Sequence, residues 1–182
     1  MLTAGKTVYG AVLGRLQTLS IDPAMQIERA IVKDAEAILS LQKLAYRSVA
    51  ELYNNYDISP LKQTIGEIEE QFKTHVFLKA VSQGEIVGTV RAYEKDGTCY
   101  VGRLAVHPKM QGQGVGTALM KKIESCFRPD RFELFTGARN QKNIDLYRKL
   151  GYSILKRESY GCGGIEVFYM EKKGSNGEII ST

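Results

Sequence analysis

A chain of 182 residues, 43% hydrophobic and 25% charged, has the size and composition of one globular domain that buries its own core without crosslinks. No apolar run reaches the ~18 residues that span a bilayer, and the net charge of +5 is dispersed, which argues against nucleic acid and equally suits a polyanionic small molecule. Cys99, Cys126 and Cys162 are odd in number and far apart, and His75 and His107 are the two histidines, so we expect no disulfide framework, no metal and a reducing, cytoplasmic setting.

Residues 1–24 have their apolar stretch interrupted by Gly10, Gly14 and Arg15. They are expected to form an N-terminal extension without chemistry of its own, partly disordered or packed as a short helix, ahead of a domain over 25–173. Gln26 to Val32 reads as a first strand. Asp34, a candidate N-cap, opens a helix on which Ile38, Leu41, Leu44 and Ala45 recur at helical spacing. A stretch carrying Tyr46, Tyr53 and Tyr56 ends that helix, and a second is predicted from Pro60 to Phe72 with Leu61, Ile65, Ile68 and Phe72 as its stripe. Strands are expected over His75 to Val81 and Glu85 to Glu94, with Ser82-Gln83-Gly84 and Asp96-Gly97 as hairpin turns. The next strand, Cys99 to Val106, has β-branched and aromatic content but imperfect alternation, and Pro108, which has no amide hydrogen for a ladder, ends it.

A helix follows from Val115 to Phe127, with Val115, Leu119, Ile123 and Cys126 or Phe127 on one side. After Arg128-Pro129-Asp130 come a strand from Arg131 to Thr136, a helix from Asn140 to Leu150 ended by Gly151, and a hairpin of Tyr152 to Tyr160 with Ile165 to Lys172. The residues beyond Lys173 read as a polar tail. The sum is an α/β fold on a mixed, mostly antiparallel central sheet flanked by helices.

Between the central strand and its helix lie Gly112, Gly114 and Gly116, alternating with Gln111, Gln113 and Val115. A strand, a glycine loop and a helix N-terminus in succession make an anion site, because the loop amides converge and the first helical N–H groups have no partners within the helix. A phosphate or pyrophosphate is the expected anion. The dinucleotide fingerprint fails, since Thr117 stands where its third glycine belongs, and no P-loop lysine follows.

The loop, Gln111 to Gly116, matches Q/R-x-x-G-x-G/A and resembles the acyl-CoA pyrophosphate loop of the GNAT N-acetyltransferases. Upstream, Gly102 to Pro108 (GRLAVHP) resembles the fourth strand of that family. Downstream, Asn140 to Tyr152 resembles its N-x-x-x-x-x-x-Y-x-x-x-G-F/Y helix and following strand. The likeness runs from about Gln26 to Lys172.

The resemblance implies transfer of an acetyl group from acetyl-CoA to a primary amine of a small molecule or peptide, by direct attack in a ternary complex. In that scheme the amides of Gln111, Gly112, Gln113, Gly114, Val115 and Gly116 hold the pyrophosphate, Thr117 adds a hydroxyl, and Lys109, Arg139 and Lys142 are candidates to screen the 3′-phosphate. The strand ending in Leu104, Ala105 and Val106 splays from the strand at 131–136 and pairs its backbone with pantetheine. Asn140 bonds pantetheine or fixes the loop before its helix, and Asn143 does likewise. Tyr147 takes the place of the general acid that protonates the thiolate. No base is evident: Gly102 and Arg103 occupy the strand where one is sought, leaving Glu94, Glu133, Glu158 or a water. The first helix pair walls the acceptor pocket in the family, but no role is assigned to the tyrosines there, nor to Cys162. A homodimer through terminal strands is open. The alternative is a non-catalytic acyl-CoA-binding regulatory module, against which Asn140 and Tyr147 argue.

Overall fold

The computed structural model describes residues 25–161 and 164–174. The expected extension over 1–24, Cys162 with Gly163, and the tail from 175 onward lie outside the described residues. The strands are β1 (Gln26–Arg29), β2 (Val76–Ser82), β3 (Glu85–Lys95), β4 (Thr98–Val106), β5 (Arg131–Gly137), β6 (Ser153–Tyr160) and β7 (Ile165–Lys173). They form one sheet in the order β1-β2-β3-β4-β5-β7-β6, antiparallel throughout except that β4 and β5 run parallel. This is the mixed, mostly antiparallel architecture expected.

Because successive strand residues point to opposite faces, the sheet carries two cores. Leu78 belongs to the larger one, where Val115, Leu119, Met120 and Ile123 of helix α4 (Val115–Glu124) pack with Tyr147 of α5 (Gln141–Lys149) and Leu150 just beyond it. Its neighbour Phe77 belongs to the other, with Ala35 and Ile38 of α1 (Ala35–Tyr53) and Ile68 of α3 (Ile65–Gln71). No helix among the described residues is long and apolar enough to cross a membrane.

Several boundaries differ from expectation. The first strand stops at Arg29, and Ile31 and Val32 are exposed. Asp34 does not cap α1 with its side chain: the carboxylate accepts from the Ile31 amide at 2.8 Å and from Lys79 Nζ at 2.8 Å, closing a short turn. Leu44 faces solvent while Gln42 is only 1% exposed, its Nε2 donating to the Pro60 carbonyl and to Gln63 Oε1. The single helix predicted over 60–72 is two, α2 (Ser59–Lys62) and α3. Thr64 forces the break, since it and Glu67 form a capping box: the Glu67 amide donates to Thr64 Oγ1 at 3.3 Å and the Thr64 amide to Glu67 Oε2 at 2.7 Å. Helix α4 ends at Glu124, leaving Cys126 exposed while Phe127 packs on the core. Gly174, expected in a loose tail, is buried, its amide donating to the Asp130 carbonyl at 2.8 Å.

Two features position the centre of the sheet. First, β3 and β4 change register, with Arg91 opposite Gly102 but Thr89 opposite Ala105, so Val90 faces two residues; Arg103 sits in this bulge at φ 54°. The bulge inverts the alternation: Cys99 and Val101 lie in the α4 core before it, Leu104 and Val106 pack on that core after it. Second, β4 and β5 share three residue pairs, Thr98 to Tyr100 against Arg131 to Glu133. At that end the Gly97 carbonyl accepts from the Asp130 amide at 2.8 Å, whereas beyond Tyr100 β5 pairs only with β7, as far as Gly137.

Helix α4 is seated by close approach to β3. A Cβ built on Gly88 would lie 2.8 Å from Leu119 Cδ1 and 2.9 Å from Val115 Cγ1. Gly88→Ala is therefore expected to lower stability by about 1–3 kcal/mol through overpacking, read as a lower urea midpoint with an unchanged m-value.

Candidate functional site

The gap between β4 and β5 opens toward the carboxyl ends of two parallel strands, the crevice position where α/β sheets place ligands. The loop after β4 and the turn before α5 border it. His107 starts that loop, its amide donating to the Val87 carbonyl at 2.8 Å, and Pro108 to Met110 make one tight turn. Gly112 and Gly114 then take φ of 77° and 85°, the left-handed region that favours glycine. The glutamines turn inward: Gln111 Nε2 donates to the Val106 carbonyl at 3.1 Å and Gln113 Nε2 to the Lys109 carbonyl at 2.9 Å. They brace the loop with their side chains.

Gly114 is the N-cap of α4 and provides no side-chain acceptor, so the amides of Val115, Gly116 and Thr117 start the helix without a capping bond. A Cβ built on Gly116 would lie 3.5 Å from Leu146, 3.7 Å from Leu104 and 3.8 Å from Val106, placing α4, α5 and the end of β4 together. Around Gly116 the structure thus gathers the start of α4, the end of β4 and the Leu146 turn of α5. Asn140 is the N-cap of α5: its Oδ1 accepts from the Asn143 amide at 3.3 Å, so it fixes the loop before the helix.

Tyr147 lies on the inner face of α5, 6% exposed, its ring edge-on to Tyr152 at 6.0 Å. Burial pushes its phenol well above the usual range, and Tyr46 of α1 adds to the shift. The two tyrosines come from helices on opposite faces of the sheet. Tyr46 is itself raised by burial, against the opposing pull of Arg103 and Arg91.

The carboxylates considered as bases are dispersed. Glu94 is exposed, and Glu158 stands on the outer strand β6, paired with Lys156 at 2.8 Å. Glu133 bounds the gap at the last β4/β5 pair, with Arg131 at 3.6 Å. Of the basic candidates, Lys109 and Lys142 are exposed, while Arg139 stacks on Tyr53 at 5.5 Å, beside a cleft of 340 Å³ that Asn54, Asn55 and Glu166 also line. The Tyr53 hydroxyl accepts from the Arg139 amide at 2.7 Å, and Gly137 leaves room for it: a Cβ there would lie 2.5 Å from the hydroxyl.

A cluster the sequence reasoning did not assemble lies on the α1 face. Arg91, 9% exposed, bonds Gln71 Oε1 and lies over the Phe77 ring at 5.7 Å. Arg103 bonds the Ser59 hydroxyl. Nearby, His75 packs against Tyr93 at 4.7 Å, and Tyr93 stacks on Tyr100 at 5.2 Å. The one signal in the sequence was Arg103 standing where an acid was sought.

The acetyltransferase (GNAT) family model matches residues 36–152. Solved structures share the fold. The PaiA N-acetyltransferase of Thermoplasma acidophilum, in complex with coenzyme A, is 17% identical with a TM-score of 0.66 over 82% of this chain and 98% of that one. The phosphinothricin acetyltransferase of Sinorhizobium meliloti, in complex with AcCoA, is 16% identical with a TM-score of 0.68 over 85% and 91%. The ribosomal-protein-S18-alanine N-acetyltransferase of Escherichia coli is 18% identical with a TM-score of 0.62 over 83% and 94%. No curated protein matches the chain in sequence.

His75 offers a test of the α1-face cluster. Burial and the Arg91 cation push it down to about 4 from an ordinary 6.5. Between those values the unfolded chain binds the proton and the folded chain does not, so stability falls as pH drops through the window and is level above it. The thermal midpoint is expected to drop between pH 7 and pH 5, and to drop less in His75→Gln.

Proposed function

Because the chain belongs to the acetyltransferase (GNAT) family, we propose that it transfers the acetyl group of acetyl-CoA to a primary amine of a small molecule or peptide, by direct attack in a ternary complex. The observation that carries this reading is the parting of β4 from β5 beneath a glycine loop and the uncapped start of α4. The residues fit the group: Gly112 and Gly114 supply left-handed backbone with no Cβ in the way of a pyrophosphate, and the amides of Gly112 to Gly116 are its donors, while the Gln111 amide donates to the Pro108 carbonyl at 3.4 Å and closes the turn before them. Acetyl-CoA supplies an acyl thioester. Thr117 adds a hydroxyl at the helix start, and Lys109 beside the loop and Lys142 in the first turn of α5 are exposed cations.

The edge of β4 at Leu104, Ala105 and Val106 faces no strand on the β5 side, and its main-chain groups suit pantetheine as an added strand. An N–H there polarises the thioester carbonyl. The neutral amine attacks the carbonyl carbon, the C–S bond breaks, and the thiolate takes a proton from Tyr147, whose phenol is protonated at neutral pH. The amine's own proton leaves to water or to Glu133. Asn140 and Asn143 support this arrangement by fixing the turn that starts α5. Residues 25–173 form the catalytic unit, which we place in the cytoplasm.

The test is thiol release from acetyl-CoA against a panel of amines. Tyr147→Phe keeps the ring in the core and is expected to lower kcat by about 10²–10⁴-fold with little change in KM for acetyl-CoA. Binding of acetyl-CoA without release by any amine would identify a binding module instead.

A further inference from the structure

Gly102 lies between two cations. Arg91 stands opposite it on β3, and Arg103 follows it on the bulge. A Cβ built on Gly102 meets nothing within 4 Å, so the space over the strand at this point is open. Arg91 is 9% exposed, yet its partners are an amide oxygen and a phenyl ring. Arg103 bonds a hydroxyl, and its Nε is buried without any hydrogen-bond partner. The Tyr46 phenol, hydrogen-bonded to Arg103 and within electrostatic reach of Arg91, is neutral too.

A charge buried as Arg91 is, with a half-buried cation beside it, is ordinarily paired with an opposite charge. Among the described residues, no ion pair joins a carboxylate to either arginine. Glu67 is the acid whose charge reaches Arg103, and its Oε2 already accepts from both the amide and the hydroxyl of Thr64. The two guanidinium groups also oppose each other: burial and the Arg103 charge pull Arg91 down to about 10. An anion is the missing partner. The pyrophosphate does not suit it, because the glycine loop leads into α4 on one face of the sheet while Arg91, beside Phe77, belongs to the face that α1 covers.

We infer that the acceptor carries a carboxylate as well as its amine, and that Arg91 and Arg103 hold this carboxylate over Gly102, in the manner of an amino acid presented to the gap between β4 and β5. The planar guanidinium fork matches a carboxylate geometrically, and a charged pair shielded from water gives strong discrimination against an acceptor lacking it. Gly102 leaves room for the carboxylate.

This inference rests on the transferase reading, and the experiment separates the two. The probes are the proteinogenic amino acids as free acids and as α-carboxamides, with thiol release from acetyl-CoA and the thermal shift in the presence of coenzyme A as readouts. Arg103→Gly suits the left-handed backbone at that position, and Gly102→Val fills open space, so both variants are expected to fold. At least one free acid should be used or bound roughly 10–100-fold better than its amide, as for a hydrogen bond to a charged group. Both variants should raise its KM by a similar factor, Arg103→Lys should recover part of the loss, and the thermal shift caused by acetyl-CoA should stay unchanged. Equal use of acids and amides, or acetylation of uncharged amines alone, would overturn the inference and leave the transferase reading standing. If no amine releases thiol, the transferase reading fails, and the thermal shifts decide the inference: a free-acid shift lost in Arg103→Gly supports it, and none overturns it.

Discussion

Three residue pairs between β4 and β5 are the constraint on which this molecule depends. Each strand is held along its other edge, β4 by β3 and β5 by β7, so neither can follow the other once they diverge. The bulge at Arg103 lies just beyond the last shared pair and bends β4 at that point. Main-chain donors and acceptors facing the gap lose their ladder partners, a cost of about 1–3 kcal/mol for each group that is shielded from water and left unmet. A substrate backbone that supplies those bonds recovers that cost on binding.

Packing around the gap ties catalysis to core structure. Helix α4 reaches its place because Gly88 lets Val115 and Leu119 close on β3, and the same placement aims its N-terminus at the loop. On the far side of α4, Glu124 accepts from the Tyr152 hydroxyl at 2.9 Å and from Lys172 Nζ at 2.6 Å, fastening the helix to the start of β6 and to β7. Tyr152 follows the helix that carries Tyr147, so both ends of the proposed active centre share one set of supports.

Much of this was legible in the sequence because it is local. Alternating glycines before an amphipathic segment specify a loop and a helix start, and Asn140 with Tyr147 mark the second helix. Two local signals were present but unread: Thr64 with Glu67 three residues on is a capping box that ends any helix running through it, and the imperfect alternation of Cys99 to Val106 was the trace of a bulge. The arginines of the α1 face were a different matter. Arg91 lies on a strand that reads as ordinary, and only the arrival of α1 and α3 above it turns an exposed cation into a shielded one. Gln42 and Gln63 were hidden for the same reason, since their amides pair with each other across 21 positions of chain.

The end of the sheet remote from the glycine loop is laced shut through Gly97, Asp130 and Gly174, by backbone bonds from Asp130 to Gly97 and from Gly174 to Asp130. The parted strands are therefore joined to each other at that end, like the blades of a pair of shears at their pivot. From Tyr100 to Val106 the blade is roughly 20 Å long at the rise of a strand, so a turn of about 3° at the pivot shifts its tip by ~1 Å, a misplacement of the size that costs about 10²-fold in rate. A change of strand angle at that laced end would therefore be magnified at the far end of the gap, at a distance from either substrate.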